Sequence, residues 1–353
     1  MGIVPPLPAQ DLDAVVERVG SAWEELRGAN ILITGGTGFF GAWLLESLCH
    51  AENRLGLGVQ AWVLSREPFR FLTRMPHLAR HSALTWIQGD IRNFDLPQVE
   101  FSHILHGASA ASAALNDTNP LEMVDTIVAG TRRILEITAT SPIQRMLHIS
   151  SGAVFGPQPP DLAGITEDHP GGPDPLDPRS AYAEGKRMAE YLCTLWVKQL
   201  GIHISVARGF SFVGPHLPLD AHFAIGNFIR DALAGRAIRV NGDGTPLRSY
   251  LYGSDLAAWL WLLLLKGERG RAYNVGSDQA VSIAELAREI GNLANLPVEI
   301  LGCPNPSTPP AHYVPAVTRA RMELGLIPTV GRQDAIRRTM AWYLSAQSPQ
   351  EAP

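Results

Sequence analysis

The 353-residue chain has few cysteines, and their spacing argues against two kinds of scaffold. It contains only three, Cys49, Cys193 and Cys303, which are odd in number, widely separated and without metal-ligand spacing. A disulfide framework and a zinc site are therefore not expected. A reducing compartment, the cytoplasm, suits this chain best.

Long apolar runs and basic clusters are also missing. The most apolar stretch, residues 256–265, is about half the length needed to span a bilayer, so it predicts a buried helix and no membrane contact. The N-terminus has no basic region followed by an apolar core, as a secretory signal would. The 29 lysines and arginines are thinly spread in a chain of net charge −5, so nucleic acid is not an expected partner.

A glycine-rich segment follows the first predicted strand of this chain, whose residues are 46% hydrophobic. Residues 31–34 are a short, mostly apolar run rich in β-branched residues, Gly35, Gly38 and Gly41 follow at intervals of three, and residues 42–48 suit a helix. Gly35 would make the turn, Gly38 would let backbone N–H groups approach a pyrophosphate, and Gly41 would let the helix pack closely. The pattern is typical of a dinucleotide-binding turn.

Predicted strands and helices alternate beyond this turn. Strands are predicted at 59–64, 84–87, 101–106, 145–149 and 202–208, and helices at 121–138 and 180–200. This order predicts an α/β fold with a doubly wound parallel sheet of the Rossmann type, whose ligand site lies beyond the carboxyl ends of the strands.

The domain organisation follows from where this alternation ends. Residues 1–208 are assigned to an N-terminal helix, at about 12–26, and a dinucleotide-binding Rossmann domain, to which segments at about 249–276 return. Residues 209–353 are assigned mainly to a smaller α/β lobe that binds substrate, because proline, glycine and aromatic residues become frequent there.

Three residues form a candidate catalytic group. Ser151 follows the fifth predicted strand, and Tyr182 and Lys186 are four apart on a predicted helix, so they share one face. A phenol is a poor base at neutral pH, but a nearby ammonium favours the phenolate and is expected to lower the pKa of Tyr182. Together the three can take a proton from an alcohol while its hydride leaves for a nicotinamide.

The motifs as a set resemble those of the extended short-chain dehydrogenase/reductases, the nucleotide-sugar epimerases and dehydratases. The resemblance extends from about residue 30 to 343. The matching motifs are Thr34-Gly35-x-x-Gly38-x-x-Gly41, Gly89-Asp90, Gly130-Thr131, Ser150-Ser151-x-x-Val154-Phe155-Gly156, Tyr182-x-x-x-Lys186, Arg208 with Gly214-Pro215, Gly242-Asp243-Gly244 with Arg248-Ser249-Tyr250, and Tyr273-Asn274-Val275-Gly276.

The resemblance implies a role for each matching residue. Tyr182 would be the catalytic acid/base, Lys186 would bind the nicotinamide ribose and tune Tyr182, and Ser151 would orient the sugar hydroxyl. The implied cofactor-binding residues are Gly35, Thr37, Gly38, Phe39, Phe40, Gly41, Ser65, Arg66, Asp90, Ile91, Gly107, Ala108, Ser109, Tyr182, Lys186 and Phe210. The implied residues for a nucleotide-diphosphate sugar are Ser151, Ser211, Asn227 and Arg248. The family often forms homodimers through the helix of Tyr182, so a homodimer is expected.

Two departures from the family pattern bear on chemistry and cofactor. The 4,6-dehydratases carry Thr-Asp-Glu where this chain has Ser151-Gly152-Ala153, so the acid and base for eliminating water are missing. An acidic residue often ends the second strand and selects NAD, whereas this chain has Ser65-Arg66, which can accept a 2′-phosphate. NADP is therefore favoured over NAD.

The resemblance leaves several activities open. A 4-epimerase acting through a transient 4-keto sugar is the first hypothesis. An NADPH-dependent 4-keto-sugar reductase uses the same three residues and suits Arg66, and a nucleotide-uronate decarboxylase is suggested by residues 184–187 and 227–228. A dinucleotide-binding sensor without turnover is the non-enzymatic alternative.

Other polar residues have simpler interpretations. His103, His106 and His148 lie on or beside predicted buried strands and are expected in the core. Glu167 and Asp168 lie in a proline-rich stretch and are expected to be solvated.

Overall fold

A seven-stranded parallel sheet forms the centre of the computed structural model, which describes residues 3–109, 113–221 and 223–347. The strands are β1 (Asn30–Thr34), β2 (Gln60–Ser65), β3 (Leu84–Gln88), β4 (His103–His106), β5 (Arg145–Ser151), β6 (Ile204–Gly209), β7 (Phe212–Val213), β8 (Ile238–Val240), β9 (Leu247–Arg248), β10 (Leu251–Tyr252), β11 (Ala272–Val275), β12 (Val281–Ser282), β13 (Val298–Ile300) and β14 (His312–Tyr313). The main sheet has the order β11-β6-β5-β4-β1-β2-β3. The predicted parallel Rossmann-type sheet is confirmed.

Helices cover both faces of this sheet. They are α1 (Ala9–Val19), α2 (Phe39–Leu55), α3 (Pro68–Arg74), α4 (Pro76–Ala79), α5 (Ala113–Thr118), α6 (Pro120–Thr140), α7 (Ala181–Leu200), α8 (Ala224–Leu233), α9 (Gly253–Lys266), α10 (Ile283–Ala294), α11 (Thr318–Leu324) and α12 (Arg332–Gln347). Helices α1, α2 and α9 pack together on one face, and α6 and α7 pack together on the other. Alternate residues of β1 divide accordingly: Ile31 and Ile33 join one core and Leu32 joins the other.

The predicted N-terminal helix is shorter than its apolar spacing indicates. Helix α1 ends at Val19, because Gly20 has a φ of +56°, and a 3-10 helix continues from Gly20 to Leu26. The apolar residues of both parts are buried, among them Trp23 and Leu26.

The most apolar stretch forms helix α9, which is almost entirely buried. Trp259 and Trp261 are fully buried in it, as the packing interpretation requires. Within the described ranges, no helix has the length and apolar character needed to cross a membrane.

Three short sheets accompany the main sheet, and β7, β9 and β14 contribute residues to the site. The short sheets pair β10 with β7, β12 with β9 and β14, and β13 with β8. Strand β14 reaches this position because Tyr313 pairs with Arg248 of β9. The division of the chain into two lobes near residue 208 stays a prediction.

The proline-rich stretch is less solvated than expected. Glu167 is buried and accepts a hydrogen bond of 2.9 Å from the backbone N–H of Asn274. Asp168 accepts one of 2.6 Å from Arg319. The prediction of a solvated Glu167 is therefore wrong, because β11 and α11 pack against this stretch.

Candidate active site

A cleft of about 1550 Å³ lies beyond the carboxyl ends of the central strands. Nearly all of the predicted cofactor and substrate residues line it. They are Gly35, Thr37, Gly38, Phe39, Phe40, Gly41, Ser65, Arg66, Asp90, Ile91, Gly107, Ala108, Ser109, Ser151, Tyr182, Lys186, Phe210, Ser211 and Arg248. The sheet thus brings residues from distant parts of the sequence to a single site.

Backbone contacts explain the glycine-rich turn. Gly35 has a φ of +77°, and a Cβ atom there would lie 2.6 Å from the Gly107 carbonyl carbon. A Cβ atom on Gly41 would lie 2.3 Å from the carbonyl carbon of Gly36, so Gly41 lets the first turn of α2 pack on the loop. Helix α2 begins directly after Gly38, and its free N–H groups lie at the cleft. This turn fits a dinucleotide pyrophosphate, because a glycine caps the helix and the N–H groups of its first turn lie at the cleft.

A buried histidine holds the adjoining loop. The Ala108 N–H donates to Thr34 Oγ1 at 3.1 Å, and Thr34 Oγ1 shares a hydrogen bond of 2.8 Å with His106 Nδ1. His106 Nε2 shares a second hydrogen bond, of 3.0 Å, with Thr131 Oγ1. Burial lowers the pKa of His106 to about 3, so the ring is neutral. The prediction that His103, His106 and His148 lie in the core is confirmed.

The guanidinium of Arg66 lines the cleft near Asp90. The Asp90 carboxylate is held by Arg92 through two hydrogen bonds of 2.8 Å, and these lower the pKa of Asp90. Arg66 follows the last residue of β2 and, within the described part of the chain, has no hydrogen bond or ion pair. Its guanidinium is available to a ligand.

Two further arginines of α3 line the same end. Arg70 pairs with Glu67 at 3.2 Å, and the carbonyl of Arg74 accepts a hydrogen bond from Val4. With Arg66 they make this end of the cleft basic, although the whole chain is acidic.

Lys186 lines the cleft at the same end as Ser151 and Tyr182. Its ammonium donates to the Ile149 carbonyl oxygen at 2.8 Å, and Nζ lies 5.9 Å from the centroid of the Tyr182 ring. The side chain is 2% exposed, and burial lowers the pKa of Lys186 to about 8.

The predicted lowering of the Tyr182 pKa is wrong for this cleft. Burial raises the pKa of Tyr182, and hydrogen bonding to Ser151 lowers it by less. The ring packs among Leu115, Met123 and Ile127, so the phenolate would be poorly solvated. Sequence spacing places the ammonium near the phenol but does not reveal this burial.

Asn116 fixes the start of α7, the helix that carries Tyr182 and Lys186. Its Oδ1 accepts from the Tyr182 backbone N–H at 3.0 Å, and its Nδ2 donates to the Arg179 carbonyl at 3.0 Å. Asn116 lines the cleft but was not predicted, because it is far from Tyr182 in sequence.

An ion pair between Glu190 and Arg208 also holds α7 in place. Glu190, one turn after Lys186, accepts from Ser150 Oγ at 2.5 Å and from Arg208 Nη2 at 2.7 Å. These bonds tie α7 to β5, the strand that ends in Ser151, and to its neighbour β6. Sequence analysis missed Glu190, although its i+4 spacing from Lys186 could have indicated it.

Tyr313 is a second phenol at Ser151 that sequence analysis also missed. It lines the cleft, and hydrogen bonding to Ser151 lowers its pKa, whereas burial raises it by more. Its ring packs on Phe210 with centroids 4.8 Å apart. No sequence spacing indicates Tyr313, because it reaches the site through the pairing of β14 with β9.

Among the described residues, no carboxylate lines the end of the cleft that holds Ser151 and Tyr182. Of the described residues that line the whole cleft, only Glu67 and Asp90 are acidic, and both lie at the arginine-rich end. At Gly152 a Cβ atom would lie 2.8 Å from the Phe210 ring. A longer side chain at that position would have to displace Phe210.

The predicted substrate residues divide into two groups. Ser211 and Arg248 line the cleft, and Arg248 donates to the carbonyls of Leu247 at 2.8 Å and Ala311 at 3.3 Å. Asn227 is not among the residues lining the cleft, and its Oδ1 accepts from Arg230 at 3.2 Å. Its role in binding substrate stays a prediction.

Comparison with known proteins agrees with this arrangement. The model of the NAD dependent epimerase/dehydratase family matches residues 31–276. UDP-glucuronic acid decarboxylase 1 of Xenopus tropicalis is 30% identical over 313 residues, which cover 89% of this chain and 72% of that protein.

Solved structures share the fold. The UDP-glucose 4-epimerase of Thermotoga maritima, solved with UDP-glucose, has a TM-score of 0.75 and 21% identity, covering 90% of this chain and 100% of that one. The UDP-glucuronic acid 4-epimerase of Bacillus cereus, solved with UDP-glucuronic acid and NAD, has a TM-score of 0.75 and 22% identity, covering 90% and 99%. Their low identity makes these two structures evidence for the fold alone.

Proposed function

The chain belongs to the NAD dependent epimerase/dehydratase family, whose enzymes modify nucleotide sugars with a nicotinamide cofactor, and we propose that it is a nucleotide-sugar 4-epimerase. The supporting observation is the grouping of Ser151, Tyr182 and Lys186 at the end of the cleft where the described residues include no carboxylate. Hydroxyl and ammonium groups suffice to oxidise an alcohol and reduce the ketone again.

The glycine turn, the loop at Gly107 and the free Arg66 fit a nicotinamide dinucleotide. When bound, NAD or NADP supplies the acceptor and donor for a hydride at C4 of the sugar. Lys186 is placed to hold a ribose hydroxyl while it keeps its bond to the Ile149 carbonyl.

The proton chemistry belongs to the side chains of this protein. Tyr182 takes the proton of the C4 hydroxyl at its phenolate oxygen as the alcohol becomes a ketone. Ser151 donates a hydrogen bond to the same sugar oxygen, which stabilises the charge that develops there. After the ketone has turned its other face to the nicotinamide, Tyr182 returns the proton, so no net oxidation occurs.

Elimination of water is disfavoured by the packing at Gly152. A dehydratase needs an acid and a base beside its tyrosine. The Phe210 ring fills the space into which a side chain at Gly152 would extend, and residue 153 is alanine. The chain can therefore oxidise at C4 but lacks groups to eliminate water across C5 and C6.

Decarboxylation of a nucleotide-linked uronic acid is the second candidate. The observation that favours it is the set of UDP-glucuronic acid decarboxylases among the curated relatives, with 28–31% identity. A 4-ketouronic acid is a β-keto acid, which loses carbon dioxide without a further acid or base. The two activities thus share Ser151, Tyr182 and Lys186 and differ in the sugar accepted.

NADP is the cofactor that we propose. The supporting feature is Arg66, an unpaired guanidinium beside the Ser65 hydroxyl at the end of β2. A guanidinium binds two oxygens of a phosphate at once and would hold the 2′-phosphate of NADP.

We propose a homodimer in which the solvent-exposed side of α6 and α7 forms the interface. Leu121, Met188 and Tyr191 are exposed there. Pairing of these helices with those of a second copy would cover the three side chains. We also propose a cytoplasmic location, which suits the free cysteines Cys49, Cys193 and Cys303.

The test is product analysis by NMR after incubation with UDP-, dTDP-, CDP- and GDP-linked hexoses and with UDP-glucuronic acid. A C4 epimer formed without net consumption of cofactor supports the epimerase. A pentose with release of carbon dioxide supports the decarboxylase. If a nucleotide-linked 4-keto sugar is supplied and NADPH is consumed, the result supports the reductase, which would use the same Ser151, Tyr182 and Lys186.

A further inference from the structure

His216 has a backbone conformation that residues other than glycine rarely adopt. Its φ is +68°, and among the residues that the structure describes Asn295 is the one other non-glycine residue with a positive φ. His216 belongs to the loop of residues 214–219, which follows β7. A left-handed conformation is strained for a histidine, so contacts of this residue must hold it in place.

A buried carboxylate of α2 holds the His216 side chain. Glu46 is 3% exposed, and its Oε1 shares a hydrogen bond of 3.2 Å with His216 Nε2. Its Oε2 accepts a hydrogen bond of 2.6 Å from the Leu7 N–H, and His77 Nε2 lies 3.4 Å from Oε1. The His216 ring also packs on Trp342, with ring centroids 4.6 Å apart. His216 is therefore tied to α2, although it is far from this helix in sequence.

Helix α2 holds the same loop at a second point. Trp43, about one turn before Glu46, donates from Nε1 to the Pro215 carbonyl at 3.1 Å. Helix α2 begins at the glycine turn that fits the pyrophosphate. One helix thus joins that turn to the 214–219 loop.

The 214–219 loop forms a wall of the cleft near the predicted substrate residues. Four residues of this loop and of the first turn of α8 line the cleft, namely Leu217, Pro218, Ala224 and Ile225. A Cβ atom on Gly226 would lie 2.9 Å from the Pro218 carbonyl oxygen, so the loop and this turn pack in direct contact. Of the predicted substrate residues, Ser211 stands just before the loop and Asn227 lies in α8. A displaced loop would therefore also displace the start of α8.

We propose that Glu46 and His216 are positioning residues for the nucleotide sugar: they fix the 214–219 loop to α2 and so set the distance between this wall and the glycine turn. Neither residue lines the cleft itself. A sugar whose C4 must lie against the nicotinamide needs this distance to be fixed. The role toward a nucleotide sugar rests on the proposed function, whereas the attachment of the loop does not depend on it.

The binding test uses His216→Gly, because glycine adopts a φ of +68° without strain and only the side chain is lost. UDP, dTDP, CDP, GDP and NADP are each titrated into the protein by calorimetry. The dissociation constant of the nucleoside diphosphate that binds most tightly should rise roughly 5- to 10-fold, the worth of one hydrogen bond. The NADP dissociation constant should stay within about twofold, because the glycine turn is unchanged.

Asn295→Gly is the matched control for this substitution. It also replaces a residue of positive φ with glycine, but Asn295 is exposed at the end of α10 and does not line the cleft. The control should leave both dissociation constants unchanged.

A second pair of variants separates hydrogen bonding from packing at Glu46. Glu46→Gln keeps an oxygen for the Leu7 N–H and an amide that can share a hydrogen bond with His216, whereas Glu46→Met keeps the size and loses both. Glu46→Gln should bind the nucleoside diphosphate as the unaltered protein does, and Glu46→Met should show the loss of roughly 5- to 10-fold.

Amide hydrogen exchange tests the attachment of the loop without a ligand. Exchange in residues 216–219 and 224–227 should become roughly 5- to 10-fold faster in His216→Gly, because the loop loses the hydrogen bond that ties it to α2. Exchange there should not change in Asn295→Gly.

Unchanged affinity of His216→Gly for the nucleoside diphosphate overturns the proposal, as does an equal loss of affinity for NADP. If none of the four nucleoside diphosphates binds the unaltered protein, the proposed function fails in its substrate class. Hydrogen exchange then still decides the attachment, and unchanged exchange in His216→Gly would show that Glu46 and His216 do not hold the loop.

Discussion

The ammonium of Lys186 donates to the carbonyl oxygen of Ile149 at 2.8 Å, beneath the ring of Tyr182. A main-chain carbonyl next to the end of β5 thus fixes the charge on α7. The bond ties Lys186, which lies near the Tyr182 ring, to the strand that ends in Ser151. The same burial makes the ammonium costly to maintain.

The lowered pKa of Lys186 predicts how stability depends on pH. Its pKa is about 8 in the folded protein and about 10.4 when unfolded, so the unfolded chain holds more protons between these values and stability rises with pH there. Relative to Lys186→Met, the unaltered protein should gain up to roughly 3 kcal/mol in free energy of unfolding between about pH 7 and pH 10.

Urea unfolding at the two pH values checks this prediction. Lys198→Met is the control, because Lys198 is exposed on the same helix and should show no such gain. A free-energy difference between the protein and Lys186→Met that does not change with pH would contradict the assigned burial of the charge.

Replacement of Tyr182 with Phe should lower kcat by roughly 10²- to 10⁴-fold, because the proton of the sugar hydroxyl then has no acceptor. The cofactor should bind as before, since the ring and Lys186 remain. Steady-state kinetics and a cofactor titration by fluorescence measure the two effects. Unchanged turnover would remove Tyr182 from the chemistry.

Arg66→Asp should weaken NADP binding by roughly 10- to 100-fold, since it removes a charge-assisted hydrogen bond. Binding of NAD should change much less, because NAD has no 2′-phosphate. Calorimetric titration with NADP and with NAD gives the ratio of the two dissociation constants. Arg239→Ala, at an exposed arginine paired with Glu299, is the control. Equal loss for both cofactors would contradict the role of Arg66.

Gly41→Ala should destabilise the protein, although alanine is the better helix former. The new Cβ atom would lie 2.3 Å from the Gly36 carbonyl carbon, and backbone cannot move aside as a side chain can. We expect a loss of roughly 1–3 kcal/mol in free energy of unfolding, with weaker cofactor binding. Gly242→Ala is the control, since a Cβ atom there meets nothing within 4 Å. Equal stability of the two variants would refute the packing argument.

Tyr191→Glu should convert the proposed homodimer into a monomer, because it places a charge in the exposed apolar face of α7. Light scattering after size exclusion measures the mass. Met322→Glu alters an apolar residue on α11 that is even more exposed, and should leave the dimer intact. A dimer that survives Tyr191→Glu would place the interface elsewhere.

The sequence predicted those features that local pattern decides. The glycine turn and the parallel strands follow from apolar periodicity and glycine spacing, and Gly35, Gly41, Tyr182 and Lys186 line one cleft. The residues on the cofactor side of the cleft could be predicted because they stand just after the carboxyl ends of the parallel strands.

Features that depend on tertiary pairing were not predictable in this way. Tyr313 reaches Ser151 only because β14 pairs with β9, and Glu167 is buried only because Asn274 and Arg319 lie against it. The pKa of Tyr182 depends on burial, which the spacing to Lys186 does not reveal.

Epimerisation at C4 by hydride transfer is the central claim, and isotope retention tests it most directly. UDP-glucose and UDP-glucuronic acid, each with deuterium at C4, are incubated with the protein and NADP or NAD, and the products are analysed by NMR. We predict a C4 epimer that retains deuterium at C4, because the hydride leaves and returns without exchange with water. A product with solvent hydrogen at C4, or with unchanged configuration there, would contradict the account.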